Sequence, residues 1–348
     1  MYNRRDFIKQ TSAIGLLSMV PGTLLSFENK EKKIWANLLH LSFNMWEEYR
    51  LTDNPDENLR IRGYLSDLQL SEQLWNDALN KMAGLGMNMV VIDLGDAIQY
   101  KSHPEIAVNN AWSTTRLRDE LAKCRKLGLE PIPKLNFSTC HDTWLGEYSR
   151  MVSTKKYYDV CSDLIKEVIE LFDKPRFFHL GYDEETAENQ QYYKYVVVRQ
   201  HDLWWNDFNF FVKEVEKNGA RAWIWSDYLW HHPEEFLKKM PKSVVQSNWY
   251  YGEVFDETET CVKAYIDLEA NGYDQIPTGG YYQCEKDVYC HEKSILNTVQ
   301  FCNKHISEKR LLGYFQTNWR PTIEDFRKPI LKSIDLIGDA RKWDIDNL

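Results

Sequence analysis

The 348-residue chain carries a formal net charge of −9, and 43% of its residues are hydrophobic, enough to bury the core of one large domain. The acidic balance argues against a nucleic-acid partner or an anionic membrane surface, since both are met by a basic face. Its 13 Trp, 20 Tyr and 15 Phe exceed what a core alone requires. A carbohydrate partner fits that surplus, because the apolar face of a pyranose stacks on an indole or phenol while a few polar groups hold its hydroxyls.

The N-terminus reads NRRDFIKQTSAIGLLSMVPG, in which Arg4, Arg5 and Phe7 precede a short apolar stretch from Ala13 to Val20. This resembles a twin-arginine export signal, so residues 1–30 are expected to direct the protein to the periplasm or beyond and to stand outside the fold. The stretch is too short to cross a bilayer, and no later segment is apolar enough, so no integral membrane span is expected. Seven cysteines are scattered without a CxxC pair, which indicates neither a zinc site nor a disulfide scaffold; Cys284 and Cys290 are spaced closely enough to pair in an oxidising compartment.

From Ile34 onward, apolar strand-like runs alternate with amphipathic helical ones. The spacing predicts strands at 34–43, 87–96, 129–137, 176–182, 220–228, 243–251, 273–282 and 310–319. Helices are predicted at 71–86, 113–128, 155–172, 202–219, 233–240, 259–272, 292–305 and 324–343, several opened by Ser or Thr and closed by Gly. Eight β-α units with continuous apolar strands imply an α/β fold of parallel strands sheathed by helices. A single (β/α)8 TIM barrel over residues 31–348 is therefore expected. A doubly wound sheet is disfavoured by the lack of a glycine-rich phosphate turn after the first strand.

Chemistry in such a barrel sits at the C-terminal strand ends. Those ends carry Asn44 and Trp46; Asp93 and Asp96; Asn136, with His141 and Asp142 beyond it; Asp183 and Glu184; Trp225 and Asp227; Trp249, Tyr250 and Tyr251; Tyr281 and Tyr282; and Gln316, Asn318 and Trp319. One face thus gathers carboxylates ringed by Trp and Tyr. The fourth strand runs into HLGYDEE, three consecutive carboxylates, of which Glu185 reads as a first-turn helix residue. Ordinary retaining glycosidases need two carboxylates on different strands about 5 Å apart, and the seventh strand here ends in tyrosines. The adjacent pair suggests instead that a substrate 2-acetamido oxygen attacks the anomeric carbon, with Asp183 orienting that group and Glu184 protonating the leaving oxygen.

The residues HLGYDE resemble the His-x-Gly-Gly-Asp-Glu motif at the fourth strand of glycoside hydrolase family 20, the β-N-acetylhexosaminidases. The resemblance implies a polarising role for Asp183, a general-acid role for Glu184, a third-strand loop histidine at His141, and pocket walls at Trp225, Trp249 and Trp319. Asn136, Asp227, Tyr250 and Tyr282 join them as candidate substrate-binding residues by their strand-end positions. The sequence departs from the family at Tyr182, which replaces the second glycine; in LLHLSFNMW, where the first-strand arginine is absent; and in Trp319-Arg320-Pro321, where Trp-x-Glu is expected. No counterpart is expected for the domain that usually precedes the family's barrel. Two alternatives stay open: a carbohydrate-binding barrel without turnover, and a glycosidase of different sugar specificity. No cofactor and no metal is expected, since His231 and His232 lack a spaced carboxylate partner.

Overall fold

A computed structural model of the protein describes residues 33–48, 61–285 and 288–347. The 1–30 segment read as an export signal lies outside the described residues. Lys33–Leu348 forms one compact unit built on eight parallel strands. These are β1 (Ile34–His40), β2 (Met89–Asp93), β3 (Glu130–Lys134), β4 (Phe177–His179), β5 (Arg221–Trp225), β6 (Val245–Ser247), β7 (Thr278–Gly280) and, after a small antiparallel hairpin of β8 (Tyr282–Glu285) and β9 (Val288–Cys290), β10 (Gly313–Thr317). Hydrogen-bonded neighbours run β6-β5-β4-β3-β2-β1-β10-β7. The ring closes where Ile276 N donates to Gln246 O at 2.9 Å and Thr278 N to Asn248 O at 3.0 Å. This is the expected (β/α)8 barrel.

Nine α-helices are described: α1 (Glu72–Gly84), α2 (Thr114–Lys126), α3 (Lys155–Leu171), α4 (His201–Lys217), α5 (Tyr228–His231), α6 (Pro233–Lys239), α7 (Thr260–Ala270), α8 (Ser294–His305) and α9 (Arg327–Asn347). Side-chain oxygens of Ser71, Ser113 and Thr154 accept the N–H groups of Leu74, Arg116 and Tyr157, capping α1, α2 and α3 as the sequence suggests. Each helix turns its apolar stripe inward; on α3 that stripe includes Tyr157, Val160, Leu164, Ile165 and Val168, all buried.

Two features of the strands shape the mouth. Pro131 and Pro133 lie on β3 in phase with Leu135, whose N–H reaches β4 at His179 O, so both imino nitrogens face β4 and withhold ladder bonds there. β3 consequently pairs with β2 over five residues but with β4 only at Lys134 opposite His179. Beyond β4 the chain stays tied on both sides, Leu180 O accepting from Phe137 N and Gly181 O from Trp225 N at 3.0 Å each, before it turns into the site. Inside the barrel, Ala36, Val91, Ile132, Trp223 and Phe315 form an apolar floor. Above it lies a buried charged layer: Lys134 Nζ is 2.5 Å and His40 Nδ1 3.3 Å from Asp93 Oδ2. Burial opposes ionisation of Asp93, but the Lys134 cation and His40 outweigh it and hold the carboxyl below its ordinary value.

Candidate active site at the mouth of the barrel

The turn after β4 places the two carboxylates. Gly181, Tyr182 and Glu184 take positive φ values of 69°, 74° and 56°, a conformation that costs a non-glycine residue about 1–2 kcal/mol. Neighbours hold every step of it. Gly181 N donates to His179 Nδ1 at 3.0 Å, Tyr182 N to Asn136 Oδ1 at 3.1 Å and Glu184 N to Asp227 Oδ2 at 2.8 Å, while the Asp183 carbonyl accepts from Ser138 Oγ. The Tyr182 side chain points away from the mouth into Trp204, Phe208 and Phe211. Its bulk is absorbed by the helix layer, and only its backbone feels the missing glycine.

Asp183 is buried, with its Oδ1 accepting from Asn136 Nδ2 at 2.9 Å and its Oδ2 lying 3.5 Å from His141 Nε2. The same His141 nitrogen is 3.3 Å from Glu184 Oε2, an ion-pair contact to each carboxylate. Desolvation acts against charging His141, but Asp183 and Glu184 overcome it and raise the imidazole to about 10. Burial likewise disfavours the Asp183 anion, yet His141, Lys134 and the Asn136 amide bring it down to about 2. Asp227 goes the other way: burial and then repulsion from Asp183 push it up to about 8, so near neutrality it carries a proton while its Oδ2 accepts from the Glu184 backbone. The Glu184 side chain is 35% exposed against 8% for Asp183. One carboxylate is thus fixed and ionised, and the other faces the opening.

The aromatic residues divide into a floor and walls. Trp225 is buried, parallel to Phe315 with centroids 5.3 Å apart, and 5.8 Å from Trp319. Trp319 Nε1 donates to Tyr251 Oη at 2.9 Å, and the Tyr251 ring lies 5.2 Å from Trp249 and 6.3 Å from Tyr282. Trp46 closes the far side, edge-on to His141 at 4.4 Å and 6.4 Å from Trp319. The Arg62 guanidinium covers the Trp46 ring at 4.3 Å.

Several expected placements change. Tyr250 is not brought to the site: its hydroxyl donates to Val254 O and its ring packs edge-on to Phe255. Tyr251 takes the inward place, sharing a side with Trp249, and the alternation continuing from that tryptophan was the signal for it. Asn136 spends its amide on protein groups, its Oδ1 accepting from Ser138 N and Tyr182 N and its Nδ2 reaching Asp183. Glu185 opens no helix, since α4 starts only at His201; its side chain is buried and paired to Arg199 Nε and Nη2 at 2.9 and 2.7 Å. Asp93 turns inside the barrel, and Asp96 accepts from Ser42 Oγ at 2.6 Å and Asn44 Nδ2 at 2.9 Å, tying down the chain after β1. Cys290 is held in a disulfide, and the Cys284 side chain lies outside the described residues.

Among the described residues, His141, Asp183 and Glu184 bring three ligand-type atoms within 4.8 Å of one another, close enough to surround a cation. The His141 imidazole, raised to about 10, places its own positive charge within that trio, 3.5 Å from the Asp183 carboxylate. No described helix is long and apolar enough to cross a membrane.

No protein-family model and no curated protein matches the chain. Solved structures do. A β-N-acetylhexosaminidase from Bacteroides fragilis aligns at a TM-score of 0.59 and 15% identity, covering 88% of this chain and 65% of its own. A family 20 exo-β-N-acetylglucosaminidase from Vibrio harveyi gives 0.58 and 13% over 88% and 54%. The family 20 β-N-acetylhexosaminidase of Streptomyces coelicolor gives 0.60 and 12% over 88% and 64%. The chain spans less than two thirds of the length of each. It is therefore similar in fold to the family 20 β-N-acetylhexosaminidases, and at these identities the likeness is one of fold.

Proposed function

We propose that the protein is a glycoside hydrolase that releases terminal N-acetylhexosamine with retention of anomeric configuration, the substrate's own acetamido oxygen acting as nucleophile. The observation that carries this reading is the division of labour after β4: Asp183 fixed by Asn136 and held ionised beside His141, and Glu184 next to it facing the opening. As the acetamido oxygen bonds to the anomeric carbon, the bond from that carbon to the leaving oxygen breaks and Glu184 gives its proton to the leaving oxygen. The amide N–H gains positive charge in the same step, and the Asp183 carboxylate stabilises it. Water then adds at the anomeric carbon, giving a proton to Glu184 and reopening the cyclised intermediate. No second carboxylate is needed, in keeping with β7, which ends in Gly280 followed by Tyr281. The fold shared with family 20 hexosaminidases supports the same chemistry.

We further propose export through the twin-arginine route, on the strength of Arg4, Arg5 and Phe7. The hydrolase reading is tested by incubating the protein with an aryl N-acetyl-β-glucosaminide beside aryl β-glucoside and β-galactoside controls, with and without a thiazoline analogue of the cyclised intermediate. Turnover confined to the 2-acetamido substrate and blocked by the thiazoline is expected. Equal turnover of the controls sinks the acetamido mechanism, and ligand binding without any turnover favours a carbohydrate-binding barrel.

A further inference from the structure

The last residues of four adjacent strands stand side by side inside the barrel: His40 of β1 is in register with Asp93 of β2, Asp93 with Lys134 of β3, and Lys134 with His179 of β4. All four are nearly inaccessible, and the hydrolytic steps use none of them. Burial, above all, holds both imidazoles below their ordinary value. Near neutrality the row therefore carries two charges, the Asp93 carboxylate and the Lys134 ammonium 2.5 Å from it. Replacing such a buried pair by apolar residues commonly leaves a protein as stable or more so, which points to a role for these charges other than holding the barrel together.

β3 connects this row to the carboxylates above it. Beyond Lys134 the chain stays extended, Leu135 N donating to His179 O at 3.1 Å and Phe137 N to Leu180 O at 3.0 Å. Ile132, Lys134 and Asn136 thus follow one another up its inner face in steps of about 6.6 Å. Asn136 reaches Asp183 Oδ1 at 2.9 Å, which puts Lys134 one step beneath that carboxylate. His141 does not tell the two carboxylates of the mouth apart, since its Nε2 is 3.5 Å from Asp183 and 3.3 Å from Glu184. Asn136 and Lys134 stand on the Asp183 side. After burial, which opposes the Asp183 anion, His141 and then Lys134 are the charges that favour it. The other titratable groups around it are Glu184 beside it, the protonated Asp227 from β5 and the neutral His179 below on β4, and none of them adds a positive charge near neutrality. We propose that Lys134 is a positioning residue of the hydrolytic site: its ammonium, seated on Asp93, draws the negative charge of the pair onto Asp183 and leaves the proton to Glu184; this rests on the hydrolase reading above. The same ammonium acts on His179, whose Nδ1 must stay unprotonated to accept from Gly181 N where the turn begins.

Two single changes break the same ion pair from opposite ends. Lys134→Met and Asp93→Asn each strand a buried charge and lower stability, so a packing role moves the chemistry of both variants the same way. A charge effect separates them. They are introduced into His141→Gln, where loss of the imidazolium lifts the acidic limb of the pH profile and lets it be followed in both directions. There Lys134→Met raises the limb of kcat/KM on a nitrophenyl 2-acetamido glycoside by about one pH unit, and Asp93→Asn lowers it. The double change Lys134→Met/Asp93→Asn strands neither charge; it recovers stability but keeps a smaller upward shift, because Lys134 is on the strand next to β4 and Asp93 one strand further away. Calorimetric affinity for the thiazoline over the same pH range follows the same order without any turnover. Shifts of one sign, or none, in the two single variants, or a double variant restored in both stability and pH profile, overturn the role of Lys134 and leave the hydrolase reading standing. If the unaltered protein neither turns over the 2-acetamido glycoside nor binds the thiazoline, the hydrolase reading falls, and the role of Lys134 with it.

Discussion

A Cβ added at Gly181 would lie 2.0 Å from Oδ1 of Asn136, so the bare backbone of one residue and the amide of the other occupy the same space. That close approach lets Asn136 accept from Tyr182 N while donating to Asp183. Gly181→Ala should displace the amide and also strain a φ of 69°, which costs about 1–2 kcal/mol in itself. Each partner left unpaired adds about 1–3 kcal/mol. A fall of about 3 kcal/mol from urea midpoints is expected. Combining it with Asn136→Ala should cost clearly less than the sum of the two single changes, because the clash is then gone; strict additivity would show that the two residues do not share this space.

The charge of His141 gives the site a pH signature. Its folded value, about 10, stands above the ordinary 6.5, so its contribution to stability is complete below about pH 6.5 and lost as pH rises through about 10. Asp183, at about 2, lies below its ordinary 3.8, so its contribution is present above about pH 3.8 and lost as pH falls through about 2. The stability difference between the protein and His141→Gln should thus be largest between about pH 4 and 6.5 and shrink towards pH 10. Without the imidazolium, Asp183 also binds a proton more readily, and the acidic limb of the hydrolysis profile should move to higher pH. A difference constant across the whole range would mean that His141 is packing and nothing more.

Glu185 and Arg199 pin the loop that follows Glu184, with both side chains nearly inaccessible and Asp207 3.2 Å from the same guanidinium. Removing one partner strands a buried charge, at about 3–5 kcal/mol. Arg199→Met should therefore lower thermal stability sharply and expose 185–200 to limited proteolysis, whereas Arg199→Lys, which keeps the charge but loses the two-pronged contact, should fall between. Equal stability of all three proteins would remove the loop's proposed anchor.

The barrel was legible because its signal is periodic and repeated: α3, expected at 155–172, runs from Lys155 to Leu171, and β5, expected at 220–228, from Arg221 to Trp225. The position of Asp183 and Glu184 at the mouth was legible because the fourth strand could be located, and adjacent carboxylates at its end stand out against ordinary electrostatic preference. What failed depends on partners far along the chain or on a local turn. Glu185 looked like a helix start because nothing in YDEE announces Arg199 fourteen residues later. Tyr250 and Tyr251 differ only in which side of the chain they fall on beyond β6, and that is set by Trp249 pairing with Thr278. Asn136 was expected to meet substrate, but its amide is held by Ser138, Tyr182 and Asp183 through a close backbone approach that only Gly181 permits.

The proposed export rests on Arg4 and Arg5. Replacing both by lysine preserves charge but removes the paired guanidinium groups, and should leave the precursor in the cytoplasm, measured by cell fractionation and immunoblotting. Fractionation indistinguishable from the unaltered protein would show that the pair is not an address.

The two carboxylates after β4 should separate kinetically, because the proposed mechanism gives them different atoms to act on. Glu184 supplies a proton to the leaving oxygen, which matters in proportion to how badly that oxygen carries negative charge. Glu184→Gln should therefore cost about 10²-fold or more in kcat/KM on a disaccharide and much less on a nitrophenyl glycoside. Asp183 acts on the acetamido group before departure is decided, so Asp183→Asn should slow both substrates alike and should also weaken the thiazoline, which carries the charge that Asp183 offsets. Its buried position makes that substitution a local one, since an amide fills the same volume and keeps an oxygen for Asn136 Nδ2. Equal losses on both substrates for Glu184→Gln, with thiazoline affinity untouched by Asp183→Asn, would assign the acid to another group, and the protonated Asp227, hydrogen-bonded to the Glu184 backbone, would be the next to test.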